Sequence, residues 1–231
     1  MKWFIINTAC ASIHRDPSFN SSCISEAIYG ESCSILEKHK NWYKIKCEDE
    51  YEGWVNSFYG IIKSEKNKNN YLITLPDVNG SFTTKLPFGS LVKEAAQGAT
   101  KIKKTFDKKL ILSTAKTLID VPYKWGGKSS LGFDCSGFVQ AVLKACGLNI
   151  PRDAYQQFDY FKNSRIKFSD VLPGDLHFFG ETNNINHVGF SLGSSEILHS
   201  QGAVRIEDLK NNQNLSDIYH SSISIQRKFI K

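Results

Sequence analysis

The chain has 231 residues, 41% of them hydrophobic and 12% aromatic, with a formal net charge of +6. That length exceeds a typical single domain, so two domains, or one with an appendage, are expected, and the apolar share excludes disorder beyond short linkers. The basicity gathers between residues 61 and 134, with 13 Lys+Arg against 6 Asp+Glu, yet no aromatics interleave with Lys101, Lys103, Lys104, Lys108 and Lys109 as in a base-stacking surface. A solvated face is expected there, and nucleic acid is not an expected partner.

The N-terminus carries a short apolar run, Trp3 to Ile6, before Cys10. An export signal needs ~7–15 apolar residues and a membrane span ~18 or more, so the run reads as a first strand and no membrane insertion is expected. Six cysteines, at 10, 23, 33, 47, 135 and 146, show no Cys-x-x-Cys spacing. Reduced thiols, a cytoplasmic location, no metal and no cofactor are the expectations.

Residues 1–62 read as short strands between turns: KWFIINT, CISEAIYGE, CSILEKHK, NWYKIKC and YEGWVNS, with HRDPSFNSS as a turn. In NWYKIKC, Tyr43, Ile45 and Cys47 share one face and Lys44 and Lys46 the other, the alternation of a half-buried strand. About five such strands make a small barrel. The segment HRDPS...YGESCSILEKHKNWYKIKCEDEYEGWV resembles the bacterial SH3-type domain. Residues 63–105, with Pro76, Asn79-Gly80 and Pro87, read as a linker or a partial second SH3-like segment.

Residues 106–231 change character. Leu110, Ile111, Ala115, Leu118 and Ile119 recur at helical spacing and predict a helix that ends before Pro122. A Gly-rich turn then leads to Asp134-Cys135-Ser136-Gly137. After Cys135, Phe138, Val139, Val142, Leu143 and Cys146 line one face of a helix closed by Gly147. Cys146 therefore reads as core. Cys135 stands in the first helical turn, where the macrodipole is expected to lower its pKa and make it a nucleophile. Asp134 and Ser136 suit helix capping.

A thiolate nucleophile needs a base and a group that orients the base. His14, His39 and His220 read as surface and His177, in an apolar strand, as structural. His187 and His199 remain, on the strands NHVGFSL and EILHS. A three-residue turn pairing Leu192 with Glu196 and Gly189 with His199 puts both histidines on one face, whereas a two-residue turn without a bulge would separate them. The constellation is Cys135 as nucleophile, His187 as base and His199 as orienter.

The blocks PYKWGGKSSLGFDCSGFVQAVLKACGLNIPRDAYQQ, VLPGDLHFF and INHVGFSLGSSEILHS together resemble the NlpC-type cysteine peptidase family. The resemblance implies an α+β protein: an N-terminal SH3-like β-barrel (1–62) and a papain-like catalytic domain (106–231) with helices packed on an antiparallel sheet. It implies an endopeptidase that hydrolyses the γ-D-glutamyl–diamino acid amide of free muropeptides with an N-terminal L-Ala, in cell-wall peptide recycling. It assigns oxyanion stabilisation to the Cys135 N–H and Tyr123. It also assigns the substrate ammonium to Asp134 with Tyr51 of the barrel and one further acid among Asp16, Glu26 and Asp49. Ser136, Arg152 and Asp153 would meet the γ-D-glutamyl portion. Arg152 equally suits a structural pair with Asp153 or Asp175, and Ala154 stands where many relatives carry a hydroxyl. The competing readings are a muramoyl-L-alanine amidase or acyltransferase on the same core, and a non-catalytic wall-binding protein.

Overall fold

The structure, a computed structural model, describes residues 2–75, 86–181 and 184–229. The expected turn residues Pro76 and Asn79-Gly80 lie outside them. The chain divides into two compact units, Met1–Lys104 with Lys124–Gly132, and Thr105–Tyr123 with Phe133–Lys231. The Gly-rich segment 124–132 thus folds with the first unit, although it lies within the sequence block expected to be catalytic.

The first unit opens with β1 (Trp3–Ile6), β2 (Cys10–His14), β3 (Cys23–Ile28), β4 (Ser32–His39), β5 (Trp42–Lys46), β6 (Glu52–Asn56) and β7 (Gly60–Lys63). They form one antiparallel sheet in the order β3-β2-β6-β5-β4-β1-β7. Phe4, Ile13, Ala27, Cys33, Ile45, Cys47 and Val55 meet in a single core, so the sheet curls around it. Tyr43 packs against that core with Ile45 and Cys47 while Lys44 and Lys46 take the other face, as the alternation requires. Two strands exceed the expected set. The residues of β2 lie just before the Asp16-Pro17 turn, and β7 is a solvent-edge strand whose Ile61 and Ile62 remain exposed. His14 is buried between Phe19 and Trp42, with ring centroids 5.9 and 5.5 Å away, rather than on the surface.

In the 63–105 segment, β8 (Tyr71–Ile73), β9 (Leu91–Val92) and β10 (Ala99–Lys101) form a three-stranded sheet in the order β10-β8-β9.

The second unit begins with α1 (Ile111–Lys116), shorter than predicted. The Thr117 hydroxyl donates to the Thr114 carbonyl (2.8 Å) and Asp120 adopts φ +70°, so the chain turns well before Pro122. Next in the chain come the short β11 (Lys128–Ser129), which belongs to the first unit, and β12 (Gly132–Phe133), then in the second unit α2 (Cys135–Ala145) and α3 (Ala154–Phe161). A six-stranded antiparallel sheet completes the unit, from β13 (Arg165–Ile166), β14 (Leu176–Glu181), β15 (Asn184–Gly193), β16 (Glu196–Gln201), β17 (Ala203–Asp208) and, after α4 (Gln213–Asp217), β18 (Tyr219–Ile223). Its order is β13-β18-β14-β15-β16-β17. Helix α2 packs on β15 and β16. Phe138 is fully buried, edge-on to Phe133 and Phe190 at 5.8 and 5.7 Å, and an aromatic so placed contributes about 1.5–3 kcal/mol by burial alone. Cys146 is fully buried and Gly147 adopts φ +88°, the left-handed C′ position expected of it.

Candidate active site

Asp134 begins α2 in extended conformation, and its carboxylate accepts from the Gly137 N–H at 2.7 Å, the N-cap its sequence position suggests. The next residue is Cys135, 7% exposed. Its thiol donates to the Asn186 carbonyl, Sγ to O 3.7 Å, and its sulfur accepts from the Val188 N–H. The sulfur therefore meets β15 through the two residues that flank His187.

The histidines share a face, but by a different turn than expected. Only Ser194 and Ser195 form the turn, and Gly193 pairs with Glu196, which taken alone would separate them. A bulge between Ser191 and Gly193, with Gly193 at φ +99°, restores the register Ser191↔Ile197 and Phe190↔Leu198. One further step brings Gly189 opposite His199, as expected. A Cβ at Gly189 would lie 2.8 Å from the His199 Cβ and 2.7 Å from Ile197 Cδ1, so any larger residue would push against the cross-strand His199 and Ile197. His187 Nε2 and His199 Nδ1 are 2.7 Å apart, with the rings nearly perpendicular.

Glu207 completes the array and escaped the sequence reading. Its Oε2 lies 2.9 Å from His199 Nε2 and its Oε1 accepts from Arg205 at 2.6 Å. The readable signal was the β16–β17 hairpin: His199 pairs with Arg205, so Arg205 and, two residues on, Glu207 share the histidine face.

The titration behaviour departs from the helix-dipole expectation. Burial, and then the Asp134 carboxylate, push the Cys135 thiol up to about 12, outweighing hydrogen bonds from backbone N–H groups and the nearby Arg152. Burial, and then the neighbouring His199, push His187 down to about 3, while burial and Arg205 bring His199 to about 4. The resting pair is a neutral thiol and a neutral imidazole. Tyr123, 38% exposed on an extended segment whose N–H donates to the Gly202 carbonyl (2.8 Å), is raised to about 12 by burial and then by Cys135 and Asp134. Its hydroxyl remains a donor at neutral pH.

Arg152 is 1% exposed and pairs with Asp134. It donates to the two carboxylate oxygens at 3.0 and 2.6 Å and to the Ser136 hydroxyl at 2.9 Å. A guanidinium buried this deeply holds Asp134 and Ser136 in place. Asp153 caps α3 in a capping box with Gln156. Asp175 is bonded by Lys108 at 3.1 Å. His177 is fully buried, its Nδ1 2.9 Å from the Ser222 hydroxyl, in the structural role expected of it.

In the first unit, Tyr51 packs against the barrel core, and its N–H donates to Asp49 at 3.2 Å. Glu26 is fully buried, bonded by the Lys124 ammonium and by the Lys128 N–H (3.1 Å). Asp49 accepts from the Lys128 ammonium at 3.0 Å, and Asp16 from Ser21 at 3.0 Å. Glu31, Cys33 and Cys47 bring three potential metal-donor atoms within 4.8 Å of one another, a group that sequence spacing did not reveal because the start of β4 and the end of β5 supply it from 14 or more positions apart. The Lys128 ammonium lies 3.4 Å from Glu31 there. All six cysteines are free, and no helix among the described residues is long and apolar enough to cross a membrane.

Residues 120–222 match the NlpC/P60 family and residues 13–57 the bacterial dipeptidyl-peptidase Sh3 domain. A γ-D-glutamyl-L-lysine dipeptidyl-peptidase of Bacillus subtilis is 34% identical over 137 residues, covering 57% of this chain and 46% of that protein. The protein of the same name from Bacillus cereus is 25% identical over 228 residues, covering 78% and 68%. The chain thus spans just under half the length of the first of these relatives. The crystal structure of an NlpC/P60 family protein from Bacillus cereus superposes with a TM-score of 0.80 at 19% identity, covering 97% of this chain and 99% of that one, and so shares the fold. The chain joins a bacterial SH3-type domain to a domain that belongs to the NlpC/P60 family of cysteine peptidases.

Proposed function

We infer that the protein is a cysteine endopeptidase hydrolysing the γ-D-glutamyl–diamino acid amide of peptidoglycan stem peptides. Its substrates in this reading are free muropeptides with an N-terminal L-Ala, and its place is wall-peptide recycling. The observation that carries the reading is the seating of the Cys135 sulfur against Asn186 and Val188, either side of a His187 held 2.7 Å from His199. The relatives named for γ-D-glutamyl-L-lysine supply the bond.

Because thiol and imidazole rest neutral, the proton moves only as the bond forms. The Cys135 sulfur attacks the γ-glutamyl carbonyl carbon while its proton passes to His187. The carbonyl oxygen, now an oxyanion, accepts from the Cys135 N–H at the start of α2 and from the Tyr123 hydroxyl. His187 returns the proton to the departing amine. A water then gives a proton to His187 and attacks the thioester, releasing the γ-glutamyl carboxylate and restoring the thiol. In this reading Asp134 meets the substrate ammonium, Ser136 the γ-D-glutamyl group, and Arg152 acts through both.

The test is incubation with L-Ala-γ-D-Glu-diaminopimelate, its N-acetyl form and a muramoyl-peptide, with products identified by mass spectrometry. The expected products are L-Ala-γ-D-Glu and diaminopimelate, from the free-amine peptide alone. Equal cleavage of the acetylated peptide would overturn the amine requirement. Release of an intact stem peptide from the muramoyl-peptide would identify an amidase instead.

A further inference from the structure

His199 stands between two partners with opposite demands, His187 at 2.7 Å from its Nδ1 and the Glu207 carboxylate at 2.9 Å from its Nε2. A carboxylate only accepts, so the proton of a neutral His199 must sit on Nε2. Its Nδ1 is then an acceptor, and His187 must place its own single proton on Nε2 to fill it. The nitrogen of His187 left with a lone pair is Nδ1.

Glu207 is itself held so that it cannot swing away. Arg205 donates to Oε1 at 2.6 Å and Asn212 Nδ2 donates to Oε2 at 2.9 Å. The Asn212 amide is oriented because its oxygen caps α4, accepting from the Leu215 N–H at 3.1 Å. Every N–H from His187 outward therefore points along one direction, toward one anchored carboxylate.

The geometry points to Glu207 as a positioning residue that sets the tautomer of both histidines, so that His187 presents the Nδ1 lone pair as the base for the Cys135 thiol. The role rests on the peptidase reading of the site and adds a fourth member to it. When His187 becomes cationic, the same chain of N–H donors carries its charge toward the Glu207 anion.

An amide at position 207 reverses the logic. In Glu207→Gln, the charge-assisted Arg205 bond, stronger than the neutral one from Asn212, holds the amide oxygen; the Asn212 N–H loses its acceptor, and the amide N–H₂ facing His199 Nε2 requires that nitrogen to accept. His199 then protonates Nδ1 and donates to His187 Nε2, and the His187 proton moves to Nδ1, where it blocks the base. Glu207→Ala leaves the tautomers undirected but not reversed. An amide in place of a directly orienting carboxylate costs about 10⁴-fold in the serine-protease triad, and one residue further out about 10²-fold is expected here. The alanine variant should lose about 10-fold, with KM within about 2-fold in both. A merely structural carboxylate would give the opposite ranking, since glutamine fills the space and alanine does not.

The experiment measures kcat and KM for both variants, with melting temperatures, and records ¹⁵N histidine spectra of the free wild-type protein and of Glu207→Gln. The proposal expects Gln to be slower than Ala, and the His187 proton on Nε2 in wild type but on Nδ1 in the Gln variant. It is overturned if Ala loses as much as Gln, or if the wild-type spectrum places the His187 proton on Nδ1. The spectra need no substrate, so they decide the tautomer even if the muropeptide assay fails.

Discussion

Two buried thiols separate the two units of this chain. Cys33 in the barrel is 0% exposed and Cys135 in the second unit 7%, and both are held above the ordinary thiol range. For Cys33 the first cause is the hydrogen bond shared with Cys47, one step beyond the Ser34↔Lys46 pair of β4 and β5, followed by burial. For Cys135 it is burial, followed by Asp134. What distinguishes them is what could accept the proton. Cys33 faces a second thiol, the Glu31 carboxylate and the Lys128 ammonium, a cluster in which charge is already paired. Cys135 lies against the strand that carries a neutral imidazole with an oriented chain behind it. The two thiols are thus alike in their raised pKa and differ in their neighbours. In the proposed mechanism, the one beside Cys135 is a base able to receive its proton during attack.

The sharpest break in this comparison is substitution of each thiol. Cys135→Ala should lower peptide hydrolysis by about 10⁴-fold or more with little change in melting temperature, because the nucleophile is gone and a methyl group still fits. Cys33→Ala should leave kcat within about 2-fold while lowering unfolding free energy by about 1 kcal/mol. Reversed outcomes in the paired assays of turnover and urea unfolding would mean the two sites have been misread. Lys128→Met sharpens the barrel side. It strips Glu31 and Asp49 of a fully buried ammonium that those carboxylates hold above its ordinary range against the penalty of burial. Removing one partner of a buried ion cluster costs about 3–5 kcal/mol, read as a fall in the urea midpoint.

On the catalytic side the next effect is Tyr123→Phe. Loss of one oxyanion donor lowers kcat by about 10²–10³-fold, close to 3–4 kcal/mol, and an exposed hydroxyl leaves unfolding nearly unchanged. An unchanged kcat would exclude the phenol from the oxyanion site and leave the Cys135 N–H as donor.

Much of this was legible because it is local. The alternation around Tyr43, Ile45 and Cys47 marked a half-buried strand. The polar setting of Cys135 ahead of an apolar helical stripe marked a helix start, and counting residues between His187 and His199 placed them on one face. Features that depend on chain-distant partners were not legible. Arg152 pairs with Asp134 across 18 positions, a choice no spacing dictates among several nearby acids. Segment 124–132 read only as a Gly-rich turn, yet its lysines neutralise barrel carboxylates. The bulge before Gly193 replaced the expected three-residue turn with the same parity, so the face came out right although the turn did not. Glu207 had no place in the sequence reading, and only the hairpin register brings it to His199.

The last effect, spread over a range of pH, lies in a third buried group, His177, which shares the neutrality of His187 and His199 without the chemistry proposed for them. It is fully buried among Phe168, Phe179 and Tyr219, and burial lowers its pKa to about 4. The unfolded chain returns it to about 6.5, so between these values the unfolded state binds a proton that the folded state does not. Stability is therefore whole above about pH 6.5 and falls as pH drops toward 4, by up to about 3 kcal/mol from this residue at 1.36 kcal/mol per pKa unit. His187 and His199 act in the same sense and carry the decline lower. Urea unfolding of His177→Gln between pH 7 and 4 should give a visibly flatter curve than wild type, with turnover at pH 7 little changed. A curve as steep as wild type would overturn the share given to His177 and assign the acid sensitivity to other groups, His187, His199 and the buried ion-paired carboxylates.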